Sequence, residues 1–216
     1  MTAPTISDQA AARGASYAFL AALFDRPLDT AGLAALRAPR MLAALADAGV
    51  TLPSDFATAP ADALRERLSV EFSHIFVAPV GKIMPHEGLM LAHEENLSGA
   101  RADKVTAFMR QVGYRLPPES GMVADHLAVE LAFAADLARR EAAAEAQGDD
   151  DTASRARAIR RDFLARHLGL WAGIAARRIT DRDAGEFYSE LAGFMADLVA
   201  EDAGILSNNA IREAAE

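Results

Sequence analysis

The chain has 216 residues, no cysteine and a formal net charge of −9 at pH 7. That length allows one sizeable core, burying ~70% of the surface an unfolded chain exposes. The lack of cysteine excludes disulfides, thiolate metal sites and a cysteine nucleophile. An acidic chain of pI ≈ 5.1 repels phosphate backbones, which sets general nucleic-acid binding aside and favours basic partners such as an arginine-bearing peptide. Met1 to Asp8 carries no basic segment leading into an apolar core, and no run of about 18 apolar residues follows, so the expectation is cytoplasmic, without stable membrane insertion.

Alanine and leucine dominate, and helical periodicity recurs along the chain while period-two apolar runs are missing. Ser7 or Asp8 is positioned to cap a first helix reaching Phe24, with Tyr17, Leu20 and Phe24 on one face, and Asp25-Arg26-Pro27 stops it. Short helices are predicted over Asp29–Arg37 and Pro39–Ala48, the second with proline in its first turn. Pro60–Phe76 reads as a helix with Leu64, Leu68, Phe72 and Ile75 at helical spacing. Pro79, Gly81 and Pro85 then make Val77–Glu87 a loop of about ten residues, a length often functional.

A helix over Arg101–Val112 ends at Gly113, and Pro117-Pro118 marks a second connection. The longest helix is predicted from Ser120 to Gln147, buried along Leu127, Leu131, Ala134 and Ala138 and wet along Arg139, Arg140, Glu141 and Glu145. Asp151 or Thr152 caps the next, which carries Ile159, Phe163, Leu164 and His167. A segment with Leu170, Trp171 and Ile174 follows, then a last helix over Asp183–Glu201 and a frayed tail from Gly204. The expected fold is all-α: a single domain over residues 1–216 of about nine to ten helices, with two lobes hinged at 77–87 or 113–120 as a variant.

A search for chemistry returns little. His86-Glu87 and His93-Glu94 are followed by Met90 and Leu97 where a zinc-protease helix needs its second histidine. No phosphate-binding glycine loop or nucleophile elbow is present, and no cofactor is expected. His126 and Glu130, at i and i+4, are placed to share a metal or a hydrogen bond; a histidine–carboxylate pair at a helix seam is the ordinary reading of that spacing. A helical metal-dependent hydrolase using Asp125, His126, Glu130 and a distant His86 or His93 is therefore kept as the enzymatic alternative, and a plain helical adaptor as a third. Phe72, Ile75 and Phe76 lead into the proline-rich loop. Each reads first as core, yet a helix-end cluster beside a loop also builds grooves for apolar peptides.

The order of several motifs resembles a known family. Glu71-Phe72-Ser73-His74-Ile75-Phe76-Val77-Ala78-Pro79, then Pro85-His86-Glu87 and Asn96-Leu97-Ser98-Gly99, are similar to segments of the TorD/DmsD/NarJ redox-enzyme maturation chaperones. So are Asp125-His126-Leu127-Ala128-Val129-Glu130-Leu131-Ala132-Phe133 and Phe163-Leu164-Ala165-Arg166-His167-Leu168-Gly169-Leu170-Trp171. The resemblance spans Glu71 to Trp171. It implies a non-enzymatic all-α chaperone that binds the catalytic subunit of a molybdenum-cofactor oxidoreductase and its twin-arginine signal peptide, holding back export until the cofactor is inserted. Positions matching peptide-binding residues are Phe72, Ile75, Phe76, Pro85, Gly99, Asp125 and His126. The three apolar side chains would receive the peptide's apolar stretch. Asp125, together with Glu87, would face its arginines through charge-assisted hydrogen bonds, with His126 orienting Asp125. The chain departs from the family in carrying Gly88 where serine is frequent and Met122-Val123-Ala124 where a proline is frequent. The client stays open among S- or N-oxide reductases, nitrate reductase and formate dehydrogenase, as does the choice between a monomer and a domain-swapped dimer.

Overall fold

The structure is a computed structural model that describes residues 6–91, 97, 99–116, 121–182 and 185–213, with side chains described from residue 8 to residue 204 within those ranges. Its described residues form ten helices: α1 (Ile6–Asp25), α2 (Thr30–Leu36), α3 (Pro39–Asp47), α4 (Ala61–Phe76), α5 (Glu87–Leu91), α6 (Ala100–Gln111), α7 (Leu127–Ala146), α8 (Asp150–Arg166), α9 (Leu168–Arg182) and α10 (Phe187–Glu213). No strand occurs among them. One isolated antiparallel bridge joins His86 to His126. The fold is all-α, and no described helix is long and apolar enough to cross a membrane.

The backbone divides into two compact units. The first holds residues 1–25, 86–172 and 199–216. Its centre is α7, which is buried on almost every side, from Leu127 through Ala144. Small residues make this possible. Alanines at 128, 134, 135 and 138 let neighbouring helices approach closely, and on α1 a Cβ at Gly14 would fall 3.1 Å from Arg139 Cγ. Phe133 and Phe163 meet edge to face at 4.8 Å, and Tyr114 lies 4.9 Å from Phe133.

A buried ionic network closes this unit at its other end. Arg160 bonds Glu141 and lies 3.2 Å from Asp202, which also pairs with Arg13 at 3.0 Å and accepts the Tyr17 hydroxyl at 3.0 Å. Glu141, expected on the wet side of its helix, is 2% exposed because Arg157 and Arg160 reach it from α8. Both Glu141 oxygens are bonded, Oε1 by Arg157 and Oε2 by Arg160, which offsets the cost of burying its charge. Burial raises the Asp202 carboxyl above its ordinary value against the opposing charges of Arg160 and Arg13.

The second unit holds residues 26–85 and 173–198. Asp29 caps α2 by accepting from the Gly32 N–H at 2.7 Å, and Pro39 opens α3. Arg37, at the end of α2, donates to the carbonyls of Ala57 and Ala59 in the connection after α3. Leu64, Leu68, Phe72 and Ile75 form the buried stripe of α4, and Phe56 stacks on Phe187 at 5.4 Å.

Several boundaries differ from those predicted. α7 begins at Leu127, since Gly121 to Asp125 is non-helical and His126 is its N-cap; Ser120 and Pro117-Pro118 lie outside the described residues. α8 is capped by Asp149, which accepts from Thr152 N–H at 3.0 Å, in place of Asp151 or Thr152. Ser7 and Asp8 lie within α1. α10 starts at Phe187 and continues helical to Glu213 through the stretch expected to fray, and at 27 residues it is longer than α7. The predicted loop 77–87 ends one residue early in α5, a short helix that the periodicity did not suggest.

Candidate functional site

The motif residues of the first unit converge on one buried cluster. The chain entering α5 runs antiparallel to the chain entering α7, with the Glu87 N–H donating to the Asp125 carbonyl at 3.0 Å. Asp125, 1% exposed, accepts from His86 Nδ1 at 2.9 Å and from the Gly88 N–H at 3.1 Å. Its carboxylate thus closes the first turn of α5 from outside that helix. Position 88 contributes its backbone N–H to this bond, so glycine there in place of the family's serine leaves the contact intact.

Glu87 is fully buried and faces an arginine of its own chain. Arg101 Nη1 donates to Oε1 at 2.7 Å, and His167 Nδ1 bonds Oε2 at 2.9 Å. His167 sits at the α8–α9 corner, where its N–H still closes α8 onto Phe163. Two residues on, a Cβ at Gly169 would lie 2.5 Å from the Leu164 carbonyl oxygen, so only glycine fits the turn.

Glu130 completes the cluster. Trp171 Nε1 donates to its Oε2 at 3.1 Å, while Oε1 meets no donor among the described residues. Burial raises the Glu130 carboxyl well above the usual carboxylate range, and the charges of Glu87 and Asp125 push the same way. A protonated Glu130 hydrogen-bonded to Glu87 satisfies both features at once.

His126 does not pair with Glu130, as the i, i+4 spacing had suggested. Its backbone is extended, and Nδ1 accepts from the Ala128 N–H at 3.2 Å as the α7 cap. Burial, reinforced by His86, pushes its pKa down to about 4, which keeps Nδ1 free to accept. Its ring meets that of His86 edge to face at 4.9 Å. The hydrolase alternative needs Asp125, His126 and Glu130 around one point. Their oxygens and nitrogen are instead turned to separate internal partners, and no three His, Asp or Glu side chains among the described residues group as a metal site. His93 lies outside the described residues.

In the second unit, Phe72 and Ile75 are buried, Pro85 is buried and Phe76 is half-buried. Phe72 packs on Phe76 at 4.8 Å and on Tyr188 at 5.8 Å, the core role that each reads as first. Gly99 is a half-buried N-cap of α6 in the first unit. The loop after α4 is firmly tied. Val77 and Ala78 donate to the Ser73 carbonyl, Ile83 to Ile75 at 2.7 Å, and Arg182 Nη2 to the Val80 carbonyl at 2.9 Å. Gly81, at φ +71°, makes the bend and lies against the Arg182 guanidinium. Sequence reasoning missed the exposed face of this helix and loop, where Val70, Val77 and Val80 stand in solvent. Their signal was present in the sequence as apolar residues off the Leu64–Ile75 stripe.

A family model described as "Nitrate reductase delta subunit" matches residues 33–177. The chain belongs to the TorD/NarJ family. The chaperone protein TorD of Shewanella loihica is 30% identical over 113 residues, covering 50% of this chain and 47% of the relative. TorD of Shewanella pealeana is 30% identical over 110 residues, covering 51% and 43%. The chain thus spans a little under half the length of the curated relatives it matches. The family match runs from α2 into α9 and takes in the whole of the His86–Glu87–Asp125–Glu130–His167–Trp171 cluster.

Proposed function

We propose that this chain is a cytoplasmic, system-specific chaperone that binds the catalytic subunit of a molybdenum-cofactor oxidoreductase, engages its twin-arginine signal peptide, assists cofactor insertion and delays export. Membership of the TorD/NarJ family across residues 33–177 carries the reading. The geometry supports it in a specific way. The motif side chains spend their hydrogen bonds inside the protein, holding the entries to α5 and α7 and the α8–α9 corner rigid. A framework of that kind suits a firm surface presented to another polypeptide, because a preorganised surface loses little entropy on binding. Of the eight expected peptide-binding residues, Phe76 in the second unit and Gly99 and His126 in the first are half-buried, while Phe72, Ile75, Pro85, Glu87 and Asp125 are buried.

Calorimetry with synthetic twin-arginine leaders from S- or N-oxide reductases, nitrate reductase and formate dehydrogenase tests the peptide half of this reading. Binding tighter than ~100 μM, about −5.5 kcal/mol, is expected for one of them. Co-purification with a cofactor-free catalytic subunit of such an enzyme tests the other half. No heat with any leader and no retained subunit would sink the proposal.

A further inference from the structure

The chain reverses at the end of α6. The N–H of Gly113, whose φ is +76°, donates to the Arg110 carbonyl at 3.1 Å, and the Tyr114 N–H donates to the Met109 carbonyl at 2.9 Å. This pair of bonds closes a helix C-terminus around glycine. The reversal sets Tyr114, Arg115 and Leu116 beside Thr106, Met109 and Arg110, and together with Ala124 they line a cavity of about 290 Å³. The whole of it lies in the first unit. Its walls are tied before anything enters. Arg140 Nη1 donates to the Val112 carbonyl at 3.2 Å, the Tyr114 ring lies 4.9 Å from Phe133, and the Thr106 hydroxyl donates to the Ala102 carbonyl at 2.8 Å. Met109 and Ala124 are buried, while Arg110 and Arg115 are exposed. Among the described residues no carboxylate lines the cavity, and neither arginine is paired with one. Asp136, the acid that acts on Tyr114, is itself held by Arg140 at 2.7 Å. A chain with 31 acidic and 22 basic residues thus leaves two guanidinium groups uncompensated beside an apolar surface.

We infer that this cavity binds a small organic acid, with a single ring against Met109, Tyr114 and Leu116 and its carboxylate or phosphate between Arg110 and Arg115. Size sets the body of the ligand: a cavity of about 150 Å³ accepts benzene, so this one takes a ring with a short acid-bearing arm. Charge sets the head, because guanidinium groups bind carboxylate and phosphate through paired, charge-assisted hydrogen bonds. A bare anion would leave the apolar wall wet, and a neutral ring would leave both arginines unanswered. The site shares no residue with the His86–Asp125 cluster, and the inference does not depend on the chaperone reading. Ligand held here joins the end of α6 to the chain entering α7, so folding stability rises with its concentration.

The test titrates the full chain with phenylpropionate and with phenyl phosphate, read by amide NMR shifts and by melting temperature. Phenylpropanol, phenylpropylamine, acetate and inorganic phosphate serve as neutral, cationic and ringless comparisons. At least one of the two ring acids is expected to saturate with a Kd below ~1 mM, to move the Thr106, Tyr114 and Leu116 amides and to raise the melting temperature. The tighter of the two identifies the acid group the site prefers. Each comparison compound is expected to bind at least tenfold more weakly. Arg110→Gln and Arg115→Gln, both at exposed positions, are expected to weaken the ring acid at least tenfold while the ligand-free melting temperature stays unchanged. Lys104→Gln removes the same charge from α6 outside the cavity and is expected to leave binding as it is in wild type. The inference is overturned if neither ring acid saturates, or if both glutamine variants of the arginines bind as wild type does. It is equally overturned if Lys104→Gln weakens binding as much as they do, which would mark a general charge effect, or if acetate or inorganic phosphate binds as tightly as its ring-bearing counterpart.

Discussion

At the scale of single residues, burial decides the chemistry of the motif side chains. Glu130 keeps its proton in the folded chain at a pH where the unfolded chain has lost it. The folded state then binds more protons than the unfolded one, so this group's contribution falls as pH rises above the ordinary carboxylate value. Glu130→Gln mimics the protonated form and is expected to gain on wild type in melting temperature as pH goes from 5 to 8; parallel curves would mean Glu130 is ionised. His126 works in the opposite direction. Its pKa is depressed to about 4, so stability present above the ordinary histidine value is lost as pH falls toward 4, on the order of 3 kcal/mol. His126→Asn keeps an acceptor for the Ala128 N–H and should flatten that acid limb, whereas His126→Ala loses the cap as well, about 1 kcal/mol at every pH. Asp125→Asn sets an amide NH2 against either the His86 ring N–H or the Gly88 N–H, since one of its two acceptor atoms has become a donor. A loss of about 2–4 kcal/mol in denaturant unfolding is expected. An unchanged midpoint would show that Asp125 is not the strut described here.

At the scale of elements, termini matter more than helix interiors. α5 and α7 are both started by side chains of the Asp125-His126 doublet, Asp125 at α5 and His126 at α7, and α8 passes to α9 through a corner that admits only glycine at 169. Gly169→Ala places a methyl against the Leu164 backbone carbonyl, which cannot move without shifting α8. A destabilisation of about 1–3 kcal/mol is expected in thermal or urea unfolding, with loss of the Glu87–His167 bond visible as a shift of the His167 ring resonances. Helix existence was legible from periodicity because i, i+3 and i+4 neighbours lie close in sequence. The start of α7 was misjudged. Met122-Val123-Ala124 is apolar enough to read as helix, but the chain turns there, with the His126 N–H donating to the Val123 carbonyl at 3.1 Å, and His126 bridges to His86, 40 positions away in the chain.

At the scale of the whole molecule, α9 and α10 each run through the boundary between the two compact units without interruption. We propose that the chain unfolds as a single domain on that account, and calorimetric and van't Hoff enthalpies should agree. Two resolved transitions would count against it. The sequence by itself determined the all-α class, the apolar stripes of α1, α4 and α7, and, through its motif order, the family; each is written in local spacing or residue identity. Only the tertiary structure decided partners. Glu87 bonds a histidine 80 positions away and Asp125 one 39 positions away, and those bonds turn carboxylates expected to greet a peptide into internal struts. The exposure of Val70 and Val77 was decided in the same way. A valine's sequence context does not say whether another element covers it, and among the described residues Val70 and Val77 stay 64% and 58% exposed.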